Sequence, residues 1–146
     1  MSKTNKIIVD SNFILVPIQF KIDYIDEMEG MLEGSCEFII FQQVLDELRA
    51  KQKRRQHSGK NSLFETQLRA GLSYLEQRQA KHTIHFYDRI KDENETTDGF
   101  LLRMIETFRE NHRNVYFATN DYELRTRACR ICPVFFVRQE KFLSLS

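Results

Sequence analysis

Four acidic residues stand where a chain of alternating strands and helices gathers its chemistry. Asp10 directly follows the apolar run Ile7-Ile8-Val9, and Glu47 lies in the first turns of the helical pattern after Phe38-Ile39-Ile40-Phe41. Asp98 opens a further helical pattern, and Asp121 follows Val115-Tyr116-Phe117-Ala118 by three residues. In an open parallel sheet the functional crevice lies beyond the carboxyl ends of the strands, so these positions converge on one crevice. Crowded carboxylates repel, and a divalent cation removes the conflict. Oxygen donors of this kind suit one or two Mg²⁺ or Mn²⁺ ions. Any one of these acids alone reads more simply as a helix cap or a surface charge. The joint placement of four points to metal chemistry.

The elements that must position them are legible in the hydropathy pattern. Five short apolar segments recur: the three already named, Ile84-His85-Phe86-Tyr87, and Val134-Phe135-Phe136-Val137. Most are continuous rather than alternating, as expected of parallel strands buried on both faces. Between them, Ile22, Ile25, Met28 and Leu32 share a helical face. So do Val44, Leu45 and Leu48, then Phe64, Leu68, Leu72 and Leu75, then Leu101, Ile105 and Phe108. Ser62-Leu63-Phe64-Glu65 has capping-box spacing, Asn120 with Glu123 reads as an N-cap pattern, and Pro133 closes the last helix. Lys51 to Asn61 reads as a polar basic loop or helix end. Strands alternating with helices imply an α/β chain with a mainly parallel sheet and helices on both faces.

The 146 residues fit one domain, read as 1–146 with its core at about 7–138. Lys+Arg 22 against Asp+Glu 21 gives a net charge of +1, which excludes a uniformly basic nucleic-acid binder and requires any polyanion to meet a local patch. Three cysteines, an odd number, argue against a disulfide scaffold. The polar start and the short apolar run Phe13 to Ile18 give neither a signal peptide nor a membrane span, so the chain reads as cytoplasmic, with no membrane partner.

The order and spacing of four motifs resemble PIN-domain ribonucleases. They are Ile7-Ile8-Val9-Asp10-Ser11-Asn12, Val44-Leu45-Asp46-Glu47-Leu48, Thr96-Thr97-Asp98 with its apolar helix, and Ala118-Thr119-Asn120-Asp121. The run Asn12 to Phe20 is similar to the archaeal branch related to ribosomal-RNA-processing PIN proteins, and resembles VapC-type toxins less. The resemblance implies a three-layer α/β/α sandwich with a five-stranded parallel sheet in order 3-2-1-4-5, which makes the first and fourth strands neighbours. It also implies metal-dependent endoribonuclease activity leaving 5′-phosphate and 3′-hydroxyl ends. Asp10, Glu47, Asp98 and Asp121 match the acidic catalytic and metal positions, with Asn12, Thr119 and Asn120 supporting them. Gly99 departs from the family, which usually carries a larger helix former there, and Asp92, Glu93 and Glu95 lie close by as rival acids. A toxin of a toxin–antitoxin pair and a catalytically silent RNA- or protein-binding module are the alternatives. The silent module would be expected to lose an acid, and none is lost. A phosphoaspartate enzyme would want an acid at position 12, where Asn12 stands.

An acidic site repels RNA unless cations frame it. From Arg49 to Lys60 there are six basic residues and no acidic one. Lys53, Arg54 and Arg55 there, and Arg125 and Arg127 after Asp121, are the candidate RNA-binding residues, since arginine forks match phosphate oxygens. Single-stranded or unpaired RNA is the expected partner. A homodimer, a ribosome-assembly factor or an antitoxin are further expected partners. His57, His82, His85 and His112 stand in no evident relation to the acids. Cys129 and Cys132 form a lone C-x₂-C without the second pair that zinc requires.

Overall fold

The computed structural model describes residues 3–58, 62–79 and 83–146. Lys60, Asn61 and His82, and the side chains of His57 and Ser62 (the latter the proposed capping box), lie outside the described residues. The element order is β1 (Thr4–Val9), α1 (Ser11–Ile14), α2 (Val16–Gln19), α3 (Tyr24–Met31), β2 (Ser35–Phe41), α4 (Gln42–Ser58), α5 (Ser62–Gln79), β3 (Thr83–Tyr87), α6 (Thr97–Asn111), β4 (Val115–Ala118), α7 (Tyr122–Ala128), β5 (Val134–Arg138) and β6 (Phe142–Leu145). These form an α/β sheet in the order β3-β2-β1-β4-β5-β6. The first five strands pair in parallel, in the expected 3-2-1-4-5 order.

The sheet has six strands rather than five, because β6 adds antiparallel to β5. The connecting turn places Gln139 and Glu140 at φ 54° and 58°, with the Lys141 N–H donating to the Arg138 carbonyl at 3.1 Å. Two left-handed central residues make the tight hairpin turn whose twist matches the strands, here without the glycine or asparagine that usually marks it.

Burial follows strand position. Ile7, Ile8 and Val9 of β1, and Phe38 through Phe41 of β2, are fully buried, so both faces of the centre are covered by helices. β3 is an edge strand: only Ile84 is buried and Phe86 is exposed, which corrects the expectation of a buried strand there. α6 turns Leu101, Ile105 and Phe108, the stripe that its periodicity predicted, into the core together with Phe100 and Met104. The stretch after Asp10 breaks into two short helices with Phe13, Ile14, Leu15 and Val16 buried and Ile18 exposed.

Two contacts fix the helices near the site. Gly71 of α5 lets that helix lie against the Ile14 carbonyl, where an added Cβ would come within 2.2 Å of the oxygen. Asp23 at the start of α3 accepts from Arg78 at 2.6 Å and from the Tyr74 hydroxyl, which ties α3 to the end of α5. α4 continues through Ser58, so Lys51, Lys53, Arg54 and Arg55 project from a helix end, one of the two forms expected for this stretch. No helix among the described residues is long and apolar enough to cross a membrane.

Candidate active site

β1 ends at Val9, in register with Ala118 at the end of β4, and β1 and β4 flank the point where the chain's crossovers change direction. Asp10 therefore emerges beside the turn that carries Thr119, Asn120 and Asp121. Its carboxylate is almost fully buried. One oxygen accepts the Ser11 N–H at 2.7 Å, and the other accepts the Thr119 hydroxyl at 2.7 Å and the Asn12 amide at 3.2 Å.

The supporting residues lock this corner together. Thr119 Oγ1 also accepts the Asp121 N–H at 3.1 Å and the Asn12 amide at 3.3 Å. Asn120 donates its N–H to Asn12 Oδ1 at 3.0 Å, and its own Oδ1 accepts the Val137 N–H at 2.8 Å. Asn12, Thr119 and Asn120 thus fasten the ends of β1, β4 and β5 to one another. The helix cap falls one residue later than the sequence pattern suggests. Asp121, not Asn120, is the N-cap of α7 and accepts the Leu124 N–H at 2.9 Å through Oδ1. Asn120 is spent on the strand ends instead.

The four acids lie in one another's fields. Burial pushes the Asp10 carboxyl up to about 6, against its hydrogen bonds from Thr119 and Ser11, and the charges of Asp98 and Glu47 push the same way. Glu47 is raised by burial and by Asp98, and Asp98 by burial and by Asp121. Among the described residues, no three acid, histidine or cysteine side chains already stand together as a ligand set. The acids act on one another through space. The donor chemistry nonetheless fits a hard divalent cation: oxygen donors only, one of them held in a dry corner, and each of Asp10, Glu47 and Asp98 destabilised as an anion.

Asp98 occupies the first turn of α6, behind the Thr96 cap, whose hydroxyl accepts the Gly99 N–H at 3.0 Å. A Cβ at Gly99 would meet that hydroxyl at 3.1 Å, which accounts for a small residue at this position. The rival Glu95 is engaged elsewhere. Arg103 grips both of its oxygens at 2.8 Å and holds its carboxyl down to about 2. Arg103 also lies 3.6 Å from Asp92.

Cations frame the acids on both sides. Lys91, Arg54 and Lys51 favour the ionised Glu47, and Arg127 favours the ionised Asp98. Arg54 and Lys51 line a cleft of about 300 Å³ with Ser11, Asn12, Leu15 and Glu47. Lys53 is exposed on α4, while Arg55 and Lys51 lie over the Phe64 ring at 5.1 and 5.0 Å. Arg125 packs between Tyr122 and Phe136. Sequence reasoning counted Lys51 in the basic run without singling it out, and missed Lys91 as a site cation. Lys51 stands one helical turn after Glu47, a spacing that signals a pair. Lys91 carries no such signal, because its loop is folded onto α4 by the Gln43 side chain, which accepts the Lys91 N–H at 3.1 Å. Cys132 is buried and Cys129 exposed, with its sulfur 3.0 Å from the Ser146 hydroxyl.

A family model described as a PIN-like domain matches residues 7–140. The chain belongs to the PIN-like domain family. Ribonuclease VapC4 of Methanocaldococcus jannaschii is 26% identical over 141 residues, spanning 96% of this chain and 95% of that protein. The PIN domain endonuclease Utp24 shares the fold at a TM-score of 0.67 with 19% identity, over 97% of this chain and 90% of that one. A T5 protein co-crystallized with metal ions shares it at 0.52 with 11% identity, over 90% of this PIN-like domain and 54% of its own length.

Proposed function

We propose that this PIN-like domain is a divalent-metal-dependent endoribonuclease that hydrolyses unpaired RNA. The observation that carries the reading is the buried Asp10 carboxylate, raised to about 6 and coupled to Glu47 and Asp98, with Asp98 coupled in turn to Asp121. Burying an anion costs several kcal/mol unless something compensates it, and a bound cation would do so. The names of a ribonuclease relative and of an endonuclease with the same fold support the reaction class.

Asp10, Glu47, Asp98 and Asp121 would hold one or two Mg²⁺ or Mn²⁺ ions. When bound, such ions activate a water for in-line attack on a phosphodiester and stabilise charge on the leaving oxygen. The chain's own residues do the remainder. Thr119 and Asn12 fix the orientation of the Asp10 carboxylate, as outer hydrogen-bond partners of a metal ligand do. Arg54 and Lys51 at the cleft and Arg127 beside Asp98 offset the acids' repulsion of a polyanion. A cytoplasmic role in ribosomal-RNA processing is the physiological reading we favour, and a toxin's ribonuclease is the alternative.

The test is cleavage of labelled RNAs, one unstructured and one carrying a folded ribosomal segment, with Mn²⁺ or with chelator. Metal-dependent cuts in unpaired stretches, leaving 5′-phosphate ends, are expected. Cleavage that persists in chelator, or products with 2′,3′-cyclic phosphate ends, would contradict the proposal. Cutting confined to one folded segment favours processing over a toxin's role.

A further inference from the structure

Beside the acids stands an exposed aromatic ring that the proposed metal chemistry does not use. Tyr122 is bonded to Asp121 and opens α7, yet its side chain is 73% exposed. Leu124 and Ala128 turn into the core, leaving Tyr122 and Arg125, three residues apart, on the outer face of the helix. The Arg125 guanidinium lies 5.3 Å from the Tyr122 ring centre and 3.9 Å from that of Phe136 on β5. Phe136 shares its sheet face with Arg138, and Arg138 lies opposite the exposed Phe142 on β6. Rings and guanidinium groups thus alternate across this surface.

We propose that Tyr122, braced by the Arg125–Phe136 stack, is a platform on which one unpaired nucleobase next to the scissile phosphate stacks. The proposal rests on the ribonuclease reading above and names how its substrate is held. A tyrosine face suits any base, and an arginine already stacked on aromatic rings is positioned to meet the adjoining phosphate. The alternation of ring and cation matches the alternation of base and phosphate along a single strand. Tyr122 follows Asp121 in the chain, which puts the platform next to an acid of the site. A duplex, whose bases are already stacked on one another, has no face to offer it.

The test uses full-length protein carrying Asp10→Asn, so that RNA survives, and a short fluorescein-labelled single strand read by anisotropy. Tyr122→Ala should weaken binding by about 5- to 100-fold, and Tyr122→Phe should restore it to within about twofold. The salt dependence should not change, because stacking releases no counterions. Replacing single nucleotides by abasic ones should reveal one position whose loss weakens the Tyr122 protein but not the Tyr122→Ala protein. Equal binding by Tyr122→Ala, or abasic effects that simply add to it, would overturn the platform. So would a change in oligomeric state without a change in RNA affinity, which would mark the face as a contact between copies. Cleavage by the unmodified protein, measured beside these, separates the two ideas. If it cuts RNA while Tyr122→Ala binds normally, the platform alone falls; if it neither cuts nor binds RNA, both fall.

Discussion

Replacing Asp10 by Asn should stabilise the metal-free protein. Folding raises this carboxyl from its ordinary 3.8 to about 6, first through burial. The folded state therefore binds the proton more tightly than the unfolded chain. Stability contributed by the protonated form is fully present below about pH 3.8 and is lost as pH rises through about 6. Above that, the ionised Asp10 costs about 3 kcal/mol. Asparagine removes the charge but mismatches its surroundings, because the Ser11 N–H, the Thr119 hydroxyl and the Asn12 amide all donate toward Asp10. An amide offers one acceptor and one donor group to these three, a loss of about 1–2 kcal/mol. The net gain at pH 8 in chelator is about 1–2 kcal/mol, or about 3–8 °C in melting temperature. Calorimetry from pH 4 to pH 8 checks it: the advantage of Asp10→Asn should shrink as pH falls and reverse by pH 4, where the carboxyl of the unmodified protein is protonated and only the mismatch of the amide remains. With Mn²⁺ the unmodified protein should gain stability by binding and Asp10→Asn should gain much less. An Asp10→Asn protein that melts lower in chelator at pH 8, or a difference independent of pH, would refute the reasoning.

Thr119→Val removes the hydroxyl that orients Asp10 and should weaken Mn²⁺ binding by about 10- to 100-fold in calorimetric titration, while the fold survives by circular dichroism. Gly71→Ala should lose about 1–2 kcal/mol in urea denaturation, since crowding at the Ile14 carbonyl outweighs the roughly 1 kcal/mol of helix propensity gained; an equally stable variant would refute that close approach. Changing Lys53, Arg54 and Arg55 together to Ala should flatten the slope of log RNA affinity against log salt by up to about two, with about 0.7 due to Arg54 alone. An unchanged slope would move the phosphate contact to Arg125 and Arg127.

The five parallel strands were legible because their apolar runs are continuous and their helices strongly periodic, and their order followed from the resemblance to PIN domains. The sixth strand was not, because its hairpin is built on Gln139 and Glu140, residues that rarely take left-handed backbone and so give no turn signal. Phe86 looked buried only because an edge strand can carry the same residue types as a central one. At the site, the motifs located Asp10, Glu47, Asp98 and Asp121 along the chain. The N-cap was read at Asn120 and lies at Asp121, because both residue types make good N-caps and only the position of β5 decides which is free to do so. Lys91 was hidden because a loop brings it in from far along the chain. The exposure of Tyr122 depends on which face of a seven-residue helix meets the sheet, and so short a helix shows too little periodicity to tell.

The central claim is that Asp10, Glu47, Asp98 and Asp121 hold the ion on which RNA cleavage depends. Anomalous diffraction from crystals soaked in Mn²⁺ tests it most directly. A peak is expected in direct contact with the Asp10 carboxylate and at least one of the other three, absent from Asp10→Asn crystals. A peak bound only at other residues, in a protein whose cleavage of RNA requires Mn²⁺, would contradict it.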